Sequence, residues 1–254
     1  MKARFSSRWA NNLARLAITL AAAGVFLGIR PDLFARASSE VGAIYQQKVA
    51  SPRLIETYLR NHKLRKLQIG AGINHNPEWL NTDIEPSGDQ AFLDATKPFP
   101  LPDASFQFII GEQVIEHITY EQGIGMLKEA YRVLAPGGKV RIATPNLLQY
   151  FALFGPQDEK IKEFIPRKLD YHYWPQTPDP ACYILNAAVR SWGHQFIYTP
   201  KMLRASFEKA GFTTIKQFAP GASDDADSTG LEIRSHGEFK DIDKFESMVF
   251  EAVR

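Results

Sequence analysis

The sequence predicts an α/β fold built around a mostly parallel sheet, on three observations. Buried strand-like runs alternate with helical segments between residues 66 and 145. The strand at residues 66–69 ends abruptly in Gly70-Ala71-Gly72, a turn that can bring backbone amides close to a ligand. With 254 residues, 44% of them apolar, the chain is long enough for one large globular domain. Ligands of such sheets bind beyond the carboxyl ends of the strands, so we expect the functional site at that edge.

The individual elements follow from apolar periodicity and from the residues that begin and end helices. Ser51-Pro52 is typical of a helix start, an N-cap followed by proline at the first helical position. Pro136-Gly137-Gly138 and Gly211 each follow a run with helical spacing and are expected to end it. The predicted helices cover residues 51–61, 120–134 and 200–210, and the predicted strands cover residues 66–69, 79–82, 91–93, 106–110, 139–143, 212–218 and 245–253.

Composition excludes several classes of protein. The single cysteine, Cys182, rules out an intramolecular disulfide, and no cluster of cysteines and histidines has the spacing of zinc ligands, so no metal site is expected. The formal net charge of +2 is too balanced for a nucleic-acid-binding surface, and we expect no nucleic-acid partner. The acidic run Asp224, Asp225 and Asp227 is interpreted as a solvated loop.

Residues 1–40 form a basic and apolar N-terminal segment, distinct from the domain predicted over residues 41–254. Residues 1–36 carry six Lys or Arg side chains and one acid, a net charge of +5. The run from Leu16 to Ile29 has no charged residue, but its 14 residues are fewer than the roughly 20 that span a bilayer. Three interpretations stay open: a secretory signal cleaved at Ala35-Arg36-Ala37, a helix lying on an anionic membrane surface, and an apolar helix packed on the domain.

An aromatic-rich stretch, residues 147–194, interrupts the regular alternation of strands and helices. Its apolar residues follow no clear period, and tyrosine, phenylalanine and tryptophan recur throughout it. We interpret this stretch as an irregular insertion in the domain, one that acts as a lid or shapes the substrate site.

The spacing after the glycine turn discriminates between cofactors. A dinucleotide site needs G-x-G-x-x-G, a helix whose amino end meets the pyrophosphate, and an acid about 20 residues further on. Here Asp83 follows Gly72 by only 11 residues, and the intervening Asn74-His75-Asn76-Pro77 leaves no space for a helix. A cofactor with a ribose but no phosphate fits better, with Asp83 and Asp94 as acceptors at the ends of neighbouring strands. The alternative is that each acid merely caps a helix or a turn.

Several motifs together resemble the class I S-adenosylmethionine-dependent methyltransferases, and most closely the small bacterial ones associated with polysaccharide or glycolipid assembly. The resemblance covers residues 66–145 strongly and residues 200–213 moderately. The motifs, in the family's order, are Leu67-Gln68-Ile69-Gly70-Ala71-Gly72, Trp79-Leu80-Asn81-Thr82-Asp83-Ile84, Leu93-Asp94-Ala95, Phe99-Pro100-Leu101-Pro102-Asp103-Ala104-Ser105-Phe106, Ile115-Glu116-His117-Ile118 and Leu134-Ala135-Pro136-Gly137-Gly138. The resemblance implies a doubly wound, Rossmann-like sheet of seven strands with the last strand antiparallel, and S-adenosylmethionine as methyl donor.

The residues expected to contact this cofactor are those that match the family's motifs. They are Gln68, Gly70, Ala71, Gly72, Asp83, Ile84, Asp94, Ala95 and Glu112. The chain departs from the pattern at Gln68, where the family usually has an acid, at Asn74, in the third glycine position, and at Gln107, where an Asp is usual. Gln68 brings no charge to attract the cofactor's ammonium group, so we expect modest cofactor affinity.

Candidate residues for the reaction lie after the fourth and fifth strands and in the insertion. His194 and His117 are candidate catalytic residues, although the family often uses the Glu-His pair to orient its loop. The candidate substrate contacts, which could equally build core, are Asn146, Tyr171, His172, Trp174 and Trp192.

The favoured function is methyl transfer to a small molecule or a glycan-type acceptor, on a hydroxyl group. The competing hypotheses are a non-catalytic protein that keeps the fold as an interaction or scaffold module, and another nucleotide-type enzyme such as an oxidoreductase. Because S-adenosylmethionine is made and held in the cytoplasm, the expected location is cytoplasmic, with residues 1–36 contacting the cytoplasmic face of the membrane. The sequence leaves the oligomeric state open.

Overall fold

A computed structural model describes residues 40–156, 158–232 and 240–254. Within them one sheet has seven strands, in the order β3-β2-β1-β4-β5-β7-β6. The strands are β1 Lys66–Ile69, β2 Leu80–Asp83, β3 Ala91–Phe92, β4 Phe106–Glu112, β5 Leu134–Pro145, β6 Thr214–Phe218 and β7 Ser247–Val253. The flanking helices are α1 Ser51–Asn61, α2 Tyr120–Val133, α3 Leu147–Ala152, α4 Glu159–Tyr171, α5 Pro180–Arg190, α6 Pro200–Ala210 and α7 Lys240–Glu246.

The strand directions confirm the predicted fold class. Strands β1 to β5 pair in parallel, whereas β7 runs antiparallel to both of its neighbours, β5 and β6. The last strand along the chain is therefore the antiparallel one, as expected. The parallel strands share one carboxyl edge, and the glycine turn, Asp83, Glu112 and the end of β5 all lie there.

The main core fills the space between the sheet and the helices, and α2 shows how the sequence builds it. The Thr119 hydroxyl accepts a hydrogen bond from the backbone amide of Gln122, whose side chain accepts one from the Thr119 amide. This capping box starts the helix, and Met126, Leu127 and Val133 are buried on its inner face. Helix α6 begins with a simpler cap, in which the Thr199 hydroxyl accepts from the amide of Met202, and it ends at Gly211, whose φ is +108°.

The first described helical segment differs from the prediction. Residues 40–45 are already helical and lead through a π-helical turn, Gln46–Ala50, into α1, so Ser51 does not cap a helix start. Instead, the Ser51 hydroxyl accepts a hydrogen bond of 2.6 Å from the amide of Phe92 and ties α1 to the edge strand β3. The expectations for residues 1–36 lie outside the described residues. Within the described part of the chain, no helix combines the length and the apolar character that crossing a membrane requires.

Residues 147–194 are mainly helical, which corrects the prediction of an irregular insertion. The side chains of Asn146, Asp158 and Asp179 accept amide hydrogen bonds at the starts of α3, α4 and α5. These helices bury a second core together with Ile242 of α7. The members of this core are Tyr150, Leu153, Ile161, Phe164, Leu169, Ala181, Ile184, Ala188 and Ile242.

A buried cluster of charged side chains is centred on Arg141 of β5. The Arg141 guanidinium is completely buried and forms ion pairs of 2.5 Å with Glu232 and with Glu251. Glu232 also accepts a hydrogen bond of 2.9 Å from the amide of Gly221. The cluster therefore links β5, β7 and the loop that follows β6.

Candidate active site

The glycine turn after β1 is held against the end of β2. Gly70 and Gly72 have φ values of +65° and +56°, which glycine adopts without strain. The amide of Ala71 donates to the carbonyl of Thr82 at 2.9 Å, and the amide of Gly72 donates to the Asp83 carboxylate at 2.8 Å. No helix lies between β1 and β2, as the spacing predicted.

The two glycines differ in what surrounds them. A Cβ atom added to Gly70 would lie 2.4 Å from Cγ2 of Val114, closer than packed atoms allow. A Cβ atom added to Gly72 would meet no atom within 4 Å. Gly70 is therefore needed for packing, while Gly72 borders open space in which a ligand can lie.

Buried glutamine side chains form hydrogen bonds with this turn and with the loop that follows it. The Gln68 side chain donates to the carbonyl of Asn74 and accepts a 2.9 Å hydrogen bond from the side-chain amide of Asn76. Gln90 donates to the carbonyl of Gly72 at 2.6 Å. Gln68, expected among the cofactor contacts, is thus engaged with the loop beneath the site. Its replacement of the family's usual acid supplies both a donor and an acceptor to that loop.

Sequence reasoning missed these hydrogen bonds. Asn76 and Gln90 are buried, and so is Asn81, which accepts a hydrogen bond from the Asn76 amide at 3.0 Å. The available signal was the presence of Gln68 and Asn81 within buried strands, because buried amides need partners.

Asp83 ends β2 and is partly exposed. Its second oxygen accepts from the amide of Glu85 at 2.9 Å, so the carboxylate is fixed by two backbone amides. Apolar side chains flank it in solvent: Ile84 is 60% exposed and Ile73, beside Gly72, is 94% exposed. Exposed isoleucines on both sides of a carboxylate offer an apolar surface for a planar base and an acceptor for a ribose.

Asp94, at the end of β3, is more closely engaged in the fold. One carboxylate oxygen accepts both from the amide of Thr96, at 2.9 Å, and from its hydroxyl, at 2.6 Å. Ala95 packs against the main core. Both lie near the predicted edge, and the turn role that the sequence left open for Asp94 is the one its hydrogen bonds display.

The end of β4 carries Glu112 and a strained residue that the sequence did not single out. Glu112 is 9% exposed. Gln113 follows it with a φ of +54°, a conformation that costs a non-glycine residue about 1 to 3 kcal/mol and that clusters at functional sites. The Gln113 amide donates to the carbonyl of Ala143, and its side chain donates to the hydroxyl of Ser247. These contacts hold the Gln113 side chain at the mouth of the cleft.

A cleft of about 600 Å³ is lined by the two residues that follow the glycine turn and by residues of the insertion, and Gly72 and Asp83 are not among its lining residues. Its wall includes Ile73 and Asn74 on the cofactor side and, on the far side, three of the predicted substrate residues, Tyr171, His172 and Trp192. Both candidate catalytic histidines, His117 and His194, also line it. Trp174 stands behind this wall, stacked on His172 with ring centres 4.4 Å apart. Asn146 caps α3 with its side-chain oxygen.

An unbroken series of rings runs from the insertion to the end of β4. The ring centre of Trp192 lies 5.0 Å from that of His172 and 5.5 Å from that of His194. The rings of His194 and His117 meet edge to face, 4.7 Å apart at an angle of 82°. His117 is distant in the sequence from His172, Trp192 and His194, and the fold brings all four onto one wall.

The backbone locks the two histidine-bearing segments together. The carbonyl of Glu116 accepts from the amides of Gln195, at 2.7 Å, and Phe196, at 3.1 Å. The Gln195 side chain donates to the carbonyl of His117 at 2.8 Å. Nδ1 of His194 is 2.7 Å from the carbonyl oxygen of Ala188 and must donate to it, since that oxygen only accepts. In neutral His194 the lone pair is then on Nε2.

Charged groups also line the cleft. The Lys168 ammonium pairs with Glu246 at 2.7 Å and lies 5.8 Å from the centre of the Trp192 ring. The hydroxyl of Tyr150 donates to the same carboxylate, and burial holds the Tyr150 pKa well above its ordinary value. Burial, with a smaller contribution from Lys168, lowers the pKa of His172 to about 4, so His172 is neutral near pH 7.

The acidic run near residue 225 lies outside this site. Asp224 pairs with Lys216 at 2.8 Å, and Asp225 pairs with Lys139 at 2.7 Å. Both acids thus have basic partners on neighbouring strands.

The strand order, the glycine turn and the acid that ends β2 define a class I S-adenosylmethionine-dependent methyltransferase domain. The chain belongs to the methyltransferase domain family, whose model matches residues 33–217. The expected methyltransferase family, enzyme class and cofactor are thereby confirmed, while the link with polysaccharide or glycolipid assembly stays a prediction.

Comparison with individual proteins adds one relative in sequence. A Mycolicibacterium smegmatis protein named "Probable S-adenosylmethionine-dependent methyltransferase" is 39% identical over 72 residues. The match covers 28% of this chain and spans only 26% of that protein.

Solved structures resemble the chain more distantly. A Mesorhizobium loti S-adenosylmethionine-dependent methyltransferase is 15% identical, with a TM-score of 0.47 over 80% of this chain and 96% of its own. A Haemonchus contortus phosphoethanolamine N-methyltransferase 2, solved with S-adenosylmethionine, is also 15% identical, with a TM-score of 0.40 over 81% of this chain and 52% of its own. At these TM-scores neither structure bears on the acceptor.

Proposed function

We propose that this protein transfers the methyl group of S-adenosylmethionine to a hydroxyl group of a small-molecule or glycan-type acceptor. The observation that carries the proposal is the cleft lined both by Ile73 and Asn74, which directly follow the glycine turn, and by aromatic and histidine rings. A methyl donor at one end and a ring-bearing acceptor at the other would meet inside it.

The donor would occupy the edge formed by β1, β2 and β4. The ribose hydroxyls would donate to the Asp83 carboxylate, which is already oriented by the amides of Gly72 and Glu85. The adenine ring would cover the exposed side chain of Ile84. Such fixed acceptors favour binding because they need little rearrangement when the ligand arrives.

Methyl transfer is an in-line displacement in which alignment supplies much of the acceleration. The acceptor oxygen forms a bond to the methyl carbon while the bond from carbon to sulfur breaks, so the sulfonium becomes a neutral thioether. Holding the two reactants in line is worth effective molarities of about 10⁵ M or more in well-oriented systems. The proton lost by the hydroxyl leaves near His117 and His194, where a general base typically adds about 10² to 10⁴ in rate.

The aromatic wall supports a ring-bearing acceptor. Tyr171 and Trp192 line the cleft with 43% and 48% of their surfaces exposed, so their rings are available to a ligand. Sugar rings and aromatic rings both present apolar faces that stack on such side chains. The nearby pair of Lys168 and Glu246 offers polar contacts to hydroxyl groups.

We also propose that residues 1–36 attach the protein to the cytoplasmic face of a membrane. The support is their net charge of +5 and the apolar run from Leu16 to Ile29. Each basic residue near an anionic surface adds about 1 kcal/mol to attraction. A cytoplasmic location would also keep the enzyme with its donor.

The test separates cofactor binding from turnover. Calorimetry measures binding of S-adenosylmethionine and of S-adenosylhomocysteine, and release of S-adenosylhomocysteine is then followed with panels of sugars, glycolipids and phenols. We expect binding together with acceptor-dependent release, and loss of release in Trp192→Ala. Tyr173→Ala is the matched control, because Tyr173 is 95% exposed and does not line the cleft. Binding without release on any acceptor class would favour the non-catalytic scaffold.

A further inference from the structure

Three side chains that could bind a metal ion converge at the end of β4. Glu116, His117 and His194 each offer one ligand atom, and these atoms all lie within 4.8 Å of one another. We propose that the three residues bind a divalent first-row transition-metal ion, and that this ion holds the hydroxyl group of the acceptor. The second part rests on the proposed methyl transfer, whereas the first part does not.

The sequence predicted no metal site because the ligands come from two separate segments. His194 follows His117 by 77 residues, so no local spacing marks the group. The hydrogen bonds from Gln195 and Phe196 to the Glu116 carbonyl bring the segments together and keep them in register. The site would therefore be formed by the fold before any ion arrives.

The position of Glu116 favours a cation beside it. Its side chain is completely buried, and one oxygen accepts a hydrogen bond of 2.9 Å from the Thr144 hydroxyl. Burying a carboxylate in the interior is costly, and a positive ion close by offsets that cost. The hydroxyl of Thr144 orients the carboxylate, as outer residues do for the ligands of metal sites.

The hydrogen bonding of His194 is that of a metal ligand. A ligating histidine usually donates its other ring N–H to a carboxylate or a backbone carbonyl, which fixes the tautomer and the ring orientation. Nδ1 of His194 makes this bond to the carbonyl of Ala188, leaving the lone pair on Nε2. The edge-to-face arrangement with His117, at 82°, allows two imidazoles to approach one ion from different directions.

The remaining adjustment is small. Two ligand atoms bound to one ion at about 2.1 Å lie roughly 3.0 to 3.4 Å apart in octahedral or tetrahedral geometry. Side-chain rotations that move the ligand atoms by about 1 to 2 Å would therefore bring all three within bonding distance of one ion. These fall within rotamer motion and leave the backbone bonds intact.

The donor set and its location indicate which ions bind and what they would do. Two imidazole nitrogens and one carboxylate oxygen suit manganese, cobalt or zinc better than calcium or magnesium, which prefer oxygen ligands. Three protein ligands leave positions open, as in catalytic sites, and both histidines line the cleft. With an ion bound, both histidines would be ligands and no longer a general base. A hydroxyl bound there would instead lose its proton to solvent, because the ion stabilises the oxygen anion that attacks the methyl carbon.

The experiment uses full-length protein freed of metal by a chelator and titrated with Co²⁺ alone. We expect one equivalent to bind with visible ligand-field absorption, and His117→Gln and His194→Gln each to weaken binding by about 100-fold or more. His172→Gln is the matched control, since it removes an imidazole from the same cleft without touching the group, and it should bind normally. Glu116→Gln extends the series if it folds, and the histidine variants suffice if it does not.

Two results would overturn the inference: the absence of Co²⁺ binding, or binding that survives in the His117→Gln, His194→Gln double variant. Bound Mn²⁺ should also enhance water-proton relaxation, because open positions hold water, and no enhancement would overturn the role in holding an acceptor. Measuring S-adenosylmethionine affinity on the same samples separates the two proposals. Metal binding without cofactor binding would support this site and defeat the proposed function, and the reverse result would do the opposite.

Discussion

The carboxylate of Asp83 accepts a hydrogen bond of 2.8 Å from the backbone amide of Gly72, so the glycine turn and the acid form one structural unit. A ligand that displaces or distorts the acid must also move the turn. This hydrogen bond links the ends of the first two strands at the point where the cofactor would lie. Substituting either residue is therefore expected to affect the cofactor site.

Replacing Asp83 by alanine should weaken S-adenosylmethionine binding by about 1.5 to 3 kcal/mol, the scale of hydrogen bonds to a charged group. Asp83→Asn keeps one accepting oxygen for the Gly72 amide and should lose less. Isothermal calorimetry on both variants checks the order. Equal affinities for alanine variant and unaltered protein, or binding of NAD in place of S-adenosylmethionine, would contradict the assignment.

Valine at Gly70 and valine at Gly72 should have different effects. Gly70→Val would force a side chain into Val114 and should lower the melting temperature strongly. Gly72→Val has space but a strained φ, and should cost about 1 to 3 kcal/mol of stability while abolishing cofactor binding.

Gly137→Val is the matched control for strain at Gly72. Its φ of +76° is also positive, and no atom lies within 4 Å of an added Cβ. It should lose comparable stability while binding the cofactor normally. Thermal unfolding and calorimetry on the variants separate strain from ligand contact. Loss of binding in Gly137→Val would mean that strain alone explains the Gly72 result.

Loss of a buried ion pair of Arg141 should lower the free energy of unfolding more than loss of an exposed ion pair. Glu232→Ala leaves the completely buried guanidinium without one of its two partners and should cost about 3 to 5 kcal/mol in urea unfolding. Asp224→Ala breaks an exposed pair with Lys216 and should leave the urea midpoint nearly unchanged. Similar costs for the two variants would argue against the burial of Arg141.

Acid should destabilise the protein partly through His172. Its pKa in the folded state is about 4, below the ordinary 6.5, so the unfolded chain takes up a proton first as the pH falls. Stability contributed by the neutral ring is therefore full above pH 6.5 and declines toward pH 4. Melting temperatures of His172→Gln should fall less over this interval than those of the unaltered protein. Parallel pH profiles would show that His172 is not held neutral.

Removing residues 1–36 should release the protein from membrane fractions while S-adenosylmethionine affinity stays unchanged. The deletion takes away the +5 charge and the apolar run but leaves every residue proposed to contact the cofactor. Fractionation of cells, with blotting of both forms, makes the measurement. An exported mature chain beginning at Ser38 would contradict the proposal, and a full-length protein found wholly in the soluble fraction would favour an apolar helix packed on the domain.

Most of the fold could be predicted from patterns among residues that are close in the sequence. The alternation of strands and helices, the helix caps at Thr119 and Thr199 and the short distance from Gly72 to Asp83 are all properties of neighbouring residues. These were sufficient to predict a mostly parallel sheet and the absence of a helix between the first two strands, whereas the seven strands with an antiparallel last one came from the family resemblance.

The site was less predictable because its residues contact side chains and backbone groups of other segments. Gln68 is engaged by residues of the following loop, and the histidines at 117 and 194 meet only through the crossing of two distant segments. The helices of the insertion were missed because frequent aromatic residues, and Pro166 within α4, obscured the helical spacing of the apolar residues. Their capping side chains, Asp158 and Asp179, were present in the sequence as signals.

The position of the last strand has a consequence for the order in which the nascent chain can assemble. Among the described strands, β6 pairs with β7 alone, and Ile242 of α7 completes the core of the insertion. Neither part can reach its final packing until residues 240–254 have left the ribosome. During synthesis the first five strands can pair on their own, while β6 and the far wall of the cleft reach their final packing only after β7 and α7 have emerged.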